Sequence, residues 1–459
     1  MFFIKETATT EIYSSLFVGS VTGAIIAFSL PILFGNLFQQ AYNLADTAIA
    51  GHFLGDDALS AIGATSSLFN FLMYFIGGLN GGFSLIIAKN FGSRNDEKIK
   101  KCIAATVVFN AVLTVIAMLF ALILIKPVLH LINTPDAVFD DAYKYVFVVF
   151  MGTAATACYN AQANLLRALG NSFTPIIFLI ISTILNIFLD IVFIAKFNLG
   201  VMGASLATVI AQGVSCILCA VTIKMNYKRF STDKNSYRFD KALYGEMFYA
   251  GITMALMNCI FAIGSLILQG AINSLGKSVI AAHLGARKIV EIFMQPMITV
   301  STACATFISQ NYGAGKVDRI KKAIKVSISA ELIMSVVFTA IVYLLATPMI
   351  RLVTDTQSEF IITTAEKYLF INLPFYVFLG ILYVLRTSIQ SIGRRVPPLI
   401  SSMIELVTKC ICAFALTGVL GYTGVCIAEP VSWTLGALLL IFSFSKAVKS
   451  LSKTLPDNA

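Results

Sequence analysis

Charge is what this sequence has least of. Only 12% of its 459 residues are charged, against 58% hydrophobic, where a soluble chain carries about 25% charge. No water-soluble core could hide that much apolar surface, so a soluble enzyme or binding domain is excluded. Histidine is nearly missing. His52, His130 and His283 are the three, too dispersed for a metal cluster, a Ser–His pair or a His-Glu-x-x-His site. A nucleotide-cradling P-loop is absent, so ATP does not directly drive whatever this chain does. Neither enzymatic activity nor an organic cofactor is expected. The short alternating segments of a transmembrane β-barrel are absent as well. The nine cysteines fall almost entirely inside apolar runs. Cys216 and Cys219 form a Cys-x-x-Cys, but within such a run, where small buried hydrophobes are expected rather than a redox or metal site.

What the chain has instead is length in apolar runs. The mean hydropathy is +0.85. Runs of about 20 residues, each enough to cross a hydrocarbon core of about 30 Å, recur from end to end. About twelve spans are expected, near 14–42, 58–87, 102–125, 142–168, 174–195, 201–223, 244–272, 279–309, 322–346, 361–389, 396–418 and 422–445. The fold class is all-α and polytopic. The polar start, "MFFIKETATTEIYSS", has no small-residue cleavage site after it, so no removable signal peptide is expected.

Lys and Arg orient the spans. Lys89, Arg94, Lys98, Lys100 and Lys101 follow span two. Lys224, Lys228, Arg229, Lys234, Arg238 and Lys241 follow span six, and Lys316, Arg319, Lys321, Lys322 and Lys325 follow span eight. Arg394 and Arg395 follow span ten; Lys446, Lys449 and Lys453 follow span twelve. The alternate loops are nearly bare of them. Both termini are therefore expected in the cytoplasm, with the chain in the cell membrane. This bias accounts for the net charge of +10. The basic residues are scattered over separate loops, so a nucleic-acid partner is not expected.

The chain also repeats itself. "NFGSRNDEKIKKCI" from Asn90 returns 221 residues on as "NYGAGKVDRIKKAI" from Asn311. The same offset pairs "LGDDAL" with "LGKSVI" and "GVMGASLAT" with "GYTGVCIAE"; an offset of 223 pairs "GNSFTPII" with "GRRVPPLI". Four anchors in one order indicate duplication. Each copy holds about six spans, an even number, so both have the same orientation and the pseudo-two-fold axis runs along the membrane normal. The expected layout is an N-terminal six-helix lobe over 1–223, a cytoplasmic linker over 224–241 and a C-terminal lobe over 242–459. Two such pseudo-symmetric bundles about a central cavity suit alternating access.

Polar residues inside the spans point to the chemistry. "PILFGNLFQQAYNLADTAIAG" puts Asn36, Gln39, Gln40, Asn43, Asp46 and Thr47 along one helical stripe, after a proline, Pro31. In span five Ser182, Asn186 and Asp190 fall at i, i+4 and i+8, with Asp190 about 24 Å along a helix rising from the inside. In span six Ser205, Thr208, Gln212 and Ser215 make a third stripe. The three place oxygens at similar depth, in the outer half of the membrane. A carboxylate there costs several kcal/mol unless paired, wet or protonated. Two close together tend to share a proton or a cation. That is the chemistry of an H⁺- or Na⁺-coupled site, and the oxygen-rich set suits Na⁺.

The duplicate half lacks these acids: Ile267 and Ile411 stand where Asp46 and Asp190 would repeat. Its own are Glu291, Glu331, Glu366, Glu405 and Glu429. Glu291 is four after Arg287 and Glu405 four before Lys409, the spacing of structural i,i+4 pairs. Glu429 stands opposite Thr208 in the repeat, and function and helix packing are equally open for it.

"PILFGNLFQQAYNLADTAIAGHFLG", "NFGSRNDEKIKK", "LLRALGNSFTPI", "TILNIFLDIVFI" and "NLGVMGASLATVIAQ" together resemble the multidrug and toxic compound extrusion family, over essentially the whole chain. The resemblance implies two six-helix lobes and export of organic, mostly cationic and amphipathic, compounds in exchange for H⁺ or Na⁺. It assigns Asp46, Asn186, Asp190 and Thr208 to a cation site in the first lobe and makes the Pro31 region a bending element. Asn36, Gln39, Gln40, Asn43, Asn160, Asn164 and Gln212 are the expected cavity or gating residues, with Glu429 and Glu291 as lesser candidates. Some branches of the family use acids in spans seven and ten. Here those spans have only Glu246, at the cytoplasmic edge, and Glu366, which favours the first lobe. The expected partners are small organic cations and the bilayer, and the chain is expected to act as a monomer. The competing reading is a flippase for a lipid-linked precursor, from the same wider superfamily. Twelve spans, and mid-membrane Asp rather than Arg, count against it.

Overall fold

The computed structural model describes residues 16–17, 19–131 and 134–454; side chains at 43–48, 50–52, 54–61, 64, 66–67 and 448–454 lie outside the description. Helices follow one another without a strand among the described residues. In chain order they are α1 (Val21–Gly92), α2 (Asp96–Ile123), α3 (Ile125–Leu131), α4 (Asp136–Met151), α5 (Thr153–Ala168), α6 (Thr174–Ile191), α7 (Gly200–Asn226) and α8 (Lys241–Asn273). Then come α9 (Lys277–Gly313), α10 (Val317–Thr354), α11 (Glu359–Asn372), α12 (Tyr376–Ser391), α13 (Val396–Ile411), α14 (Thr417–Leu420) and α15 (Tyr422–Thr454). Eleven helical segments among the described residues are long and apolar enough to cross a bilayer. Spans one and two are Val21–Tyr42 and Leu68–Gly92, both within the continuous helical backbone of α1.

The fourth expected span, 142–168, is the exception. It is two helices of 16 residues, α4 and α5, broken at Gly152. The break has a packing reason. A Cβ at residue 152 would stand 2.2 Å from Val209 Cγ2, so the missing side chain is the space that α7 fills. Polar Thr153, Thr156, Asn160, Gln162 and Asn164 then lower the hydropathy of α5.

The duplication is written into the backbone. Left-handed residues recur at equivalent places: Arg94 (φ 55°) and Gly315 (φ 73°), Gly170 (φ 92°) and Gly393 (φ 84°), Gly200 (φ 58°) and Gly421 (φ 55°). A π-helical turn follows α6 at Val192–Lys196 and another follows α13 at Cys412–Leu416. Asn90 Nδ2 donates to Ile86 O at 2.9 Å, and its counterpart Asn311 Nδ2 to Phe307 O at 2.8 Å.

Two compact units divide the helices, and their edges differ from the expected cuts at 223 and 242. The first contains Phe34–Ala255; the second contains Ser15–Leu33 and Leu256–Ala459. The expected linker therefore belongs to the first unit. Arg229 Nη2 donates to Asp96 Oδ1 at 2.8 Å, and Lys101 stands 3.8 Å from Asp240. Asp233 accepts from the Ser236 amide (2.8 Å) and hydroxyl (2.7 Å), which hold its carboxyl below the ordinary carboxylate range.

Within the first unit, α1 and α8 approach backbone to backbone. Gly78 and Gly82, a Gly-x-x-x-Gly pair, face Ala250, Gly251 and Ala255. A Cβ at 78 would lie 2.5 Å from Ala255 Cα, and one at 82 would lie 2.3 Å from Ala250 O. Small residues four apart let membrane helices come this close. Because the obstacles are main-chain atoms, Gly82→Val is expected to push α8 off α1 and cost at least about 1–3 kcal/mol. Thermal unfolding in detergent measures it, and an unchanged midpoint would mean that the contact is not made in solution.

Within the second unit, the start of the chain is part of the core. Leu16, Val21, Ile25, Phe28 and Ile32 pack with Ile289, Phe307, Ile324, Tyr368, Trp433 and others. Arg319 donates to the backbone oxygens of Leu16 and Gly19, both at 3.0 Å. Beyond Pro31 the same helix changes partner: Gly35 packs against Ile176 of α6 in the first unit, where a Cβ would come within 3.1 Å of Ile176 Cγ1.

Candidate functional site

Three helices of the first unit meet around one of the two expected acids, Asp190. Asp190 of α6 is completely buried, at 0% exposure, and Asn186, one turn earlier, is 1% exposed. The Asn186 amide satisfies donors and acceptors on both sides when its Nδ2 faces the acid. In that orientation Nδ2 donates to Asp190 Oδ2 at 3.0 Å and to Tyr42 Oη at 3.2 Å, while Oδ1 accepts from the Thr208 amide at 3.1 Å. Asn186 thus ties α6 to α7 and to the end of span one. The local cause is sequence spacing. Ser182, Asn186 and Asp190 share one face, and that face is buried while Ile184, Phe188 and Ile191 point outward.

Of the expected cation residues, Asn186, Asp190 and Thr208 come together. The Asp46 side chain lies outside the described residues, as do those of Asn43 and Thr47. Tyr42 was not anticipated. The signal was available, since it stands one helical turn before Asp46 and so shares its stripe. Ser215 joins the α6–α7 seam by donating to Phe178 O at 3.1 Å.

The expected cavity residues are placed less uniformly. Asn36 and Gln39 are half-buried and Gln40 is exposed. Asn160 and Asn164 are half-buried on one face of α5, and their amides donate to Thr156 O and Asn160 O, both at 2.9 Å. Gln212 keeps a buried Oε1 with no hydrogen-bond partner. Cys216 meets Cys158 of α5, Sγ to Sγ 2.8 Å, rather than Cys219. No group of three or more possible metal ligands occurs among the described residues.

The second unit holds a charge network that the spacing of its residues did not reveal. Glu429 of α15 is its centre, 4% exposed. It accepts from Arg287 Nη1 at 2.8 Å and from Tyr368 Oη at 2.5 Å, with Lys409 Nζ at 3.6 Å. Arg287 also meets Glu291 at 3.5 Å, the expected i,i+4 pair. The other expected pair is not made. Glu405 bonds Arg386 of α12, and Lys409 turns away to Glu429 and over the Phe261 ring at 4.8 Å. Lys409 finds room because residue 264 is glycine; a Cβ there would stand 3.0 Å from its Cδ. Glu366 accepts from the Thr347 hydroxyl, and Glu246, in the first unit, pairs with Lys89 at 3.0 Å.

Comparison with known proteins agrees with this architecture. The MatE family profile matches residues 31–192 and again 253–415. The two matches start 222 residues apart, as the duplication requires. The probable multidrug resistance protein YoeA of Bacillus subtilis is 26% identical over 439 residues, 94% of each chain. The probable multidrug resistance protein NorM of Thermotoga maritima is 26% identical over 398 residues, 85% of this chain and 84% of that one. A solved outward-facing multidrug resistance MATE family transporter of the MOP superfamily superposes with a TM-score of 0.87 at 21% identity, covering 94% of this chain and 97% of the other. Twice-matched sequence, repeated backbone and helical fold agree: this multi-pass membrane protein belongs to the MatE family of multidrug-efflux transporters.

Proposed function

We propose that the protein exports organic, mostly cationic amphipathic compounds from the cell in exchange for H⁺ or Na⁺, coupled through Asp46 and Asp190 with Asn186 and Thr208. The observation that carries this reading is the complete burial of Asp190 beside an amide that also holds Tyr42 and Thr208. An acid so placed is ionised only with a cation beside it and is otherwise protonated, so occupancy of the site changes the charge of the lobe. Span one supplies Tyr42 and Asp46, so binding at the acids is felt by the helix that begins in the other unit. Alternating access about a central cavity follows in this reading, with both termini in the cytoplasm. The deciding experiment uses purified protein in vesicles, with ethidium efflux driven by a pH gradient alone or a Na⁺ gradient alone. Efflux under neither would overturn antiport.

The flippase reading is weakened by charge balance. Arg287, Arg386 and Lys409 are basic residues within the spans, but each stands against Glu291, Glu405 or Glu429. These three buried positions therefore offer no surplus positive charge to a phosphate-bearing lipid.

Pro31 lies two residues before the point where α1 passes from one unit to the other. A proline inside a helix removes one backbone hydrogen bond and weakens the helix by about 3 kcal/mol. In the reading proposed here it is the hinge at which span one changes shape with protonation of the acids. Pro31→Ala is expected to lower the ethidium efflux rate more than it lowers ethidium affinity, measured side by side. Equal efflux in both forms would reduce Pro31 to a static kink; loss of affinity alone would make it a pocket-shaping residue.

A further inference from the structure

Glu331 lies in the interior of the second unit, on α10, and plays no part in the charge network. It is 0% exposed, and both carboxyl oxygens lack a hydrogen-bond partner. α12 packs directly on it through Gly380, where a Cβ would stand 2.6 Å from Glu331 Cβ and 3.1 Å from Met297 Cε. The acid is thus wedged against a glycine notch beside an apolar thioether of α9.

No ion pair to Glu331 occurs among the described residues, and the buried cations of the unit are engaged elsewhere, while Lys288 of α9 and Lys367 of α11 are exposed. Arg287 serves Glu429 and Glu291, Lys409 serves Glu429, and Arg386 serves Glu405. α11 directs Tyr368 to Glu429, and Glu366 is held by Thr347. The 3₁₀ turn Leu373–Phe375 carries no charge. The titratable neighbour from α9 is the thiol of Cys304, whose Sγ faces Ala323 O at 4.0 Å. An unpaired carboxylate in such surroundings takes a proton.

A short polar line leads from the acid toward the start of α10. Ser327 stands one turn before Glu331, and Ser388 lies two turns beyond Gly380 on α12; both adjoin Cys304. Each is fully buried, and its hydroxyl meets no partner except the Cys304 thiol. The repeat makes the contrast sharper. Asn110 stands 221 residues before Glu331, and in the first unit that position is satisfied: the Asn110 and Asn80 amides donate to each other at 2.9 and 3.0 Å. The second copy has an acid there instead, with no reciprocal partner.

We propose that Glu331 is a proton-binding site inside the second unit, separate from the acids of the first, with Ser327 and Ser388 handing its proton along the α10–α12 seam. A single carboxyl without converging oxygen ligands suits a proton rather than Na⁺. The site stands on its own geometry; only its use in transport rests on the antiport reading.

The test has two arms. In wild-type protein held in lipid nanodiscs, infrared difference spectra between acidic and alkaline buffer should show a protonated-carboxyl C=O band that is lost on the alkaline side. The band should be missing from Glu331→Gln and retained in Asp190→Asn. In proton-driven efflux, the number of protons taken up per ethidium released should fall by one in Glu331→Gln, with ethidium affinity unchanged. A band that is absent throughout, or that persists at every pH at which the protein stays folded, overturns the proposal. So does an unchanged proton count in Glu331→Gln. If that variant does not fold, the band that remains in Asp190→Asn decides instead, and its absence there overturns the proposal. Wild-type efflux in Asp190→Asn would sink the first-unit coupling reading and leave this one standing.

Discussion

Asp190→Asn is expected to insert and fold yet to export ethidium no faster than protein-free vesicles, under either a pH or a Na⁺ gradient. The substitution preserves size, so the buried face of α6 still packs, and the new amide can hydrogen-bond Asn186. What it removes is the charge. An amide neither exchanges a proton in the working pH range nor offers Na⁺ an anionic oxygen. The chain would then lose the free-energy difference between occupied and empty acid that biases one conformation over another, and a ligand with no differential affinity shifts no equilibrium. Asp46→Asn should have the same effect. Equal expression and an unchanged unfolding midpoint must accompany the loss. Wild-type efflux in either variant would remove that residue from the coupling site.

The second large effect falls on stability. Glu429→Gln should destabilise the second unit by about 3–5 kcal/mol, the usual cost of removing one partner from a buried ion pair. The glutamate faces Arg287, Lys409 and the Tyr368 hydroxyl at once, and Lys409 is only 2% exposed. Neutralising it leaves a buried ammonium with no counter-charge, while Arg287 retains Glu291 at 3.5 Å. Restoring the balance should therefore restore much of the loss: Glu429→Gln combined with Lys409→Met is expected to unfold at a higher temperature than Glu429→Gln alone. Thermal unfolding in detergent reads both. Equal midpoints for wild type and Glu429→Gln would mean that the network contributes nothing net. If the single variant folds as wild type but exports nothing, Glu429 belongs to the transport chemistry rather than to packing.

The two cases differ in how far residue spacing reached. Asn186 and Asp190 were legible because they lie four residues apart on one helix, and Thr208 because it falls on a stripe at matching depth. Tyr42 was missed although it shares a stripe with Asp46, because a tyrosine in an apolar helix looks like any other aromatic. Glu405 and Lys409 mislead for the converse reason. Their spacing permits a pair, but a buried charge takes the partner that also removes it from hydrocarbon, and here that partner comes from another helix. Glu331 carries no local signal. A glutamate between Ala330 and Leu332 gains its meaning only when Gly380 closes over it.

The sequence by itself determined the class of the molecule, its spans and its duplication. Hydropathy is a property of a segment, the helical period fixes which residues share a face, and a copied segment keeps its glycine turns at the same offsets, as Gly200 and Gly421 do. Only the tertiary structure decided where one unit ends and the other begins. The chain passes between them at Leu33 and again at Ala255, both inside helices that hydropathy treats as uniform. It also decided which charges meet. Arg287 and Glu429 are 142 residues apart, and their contact depends on how α9 and α15 rotate and settle against each other. That packing is set by the side chains of both surfaces together, and neither strip of sequence contains it alone.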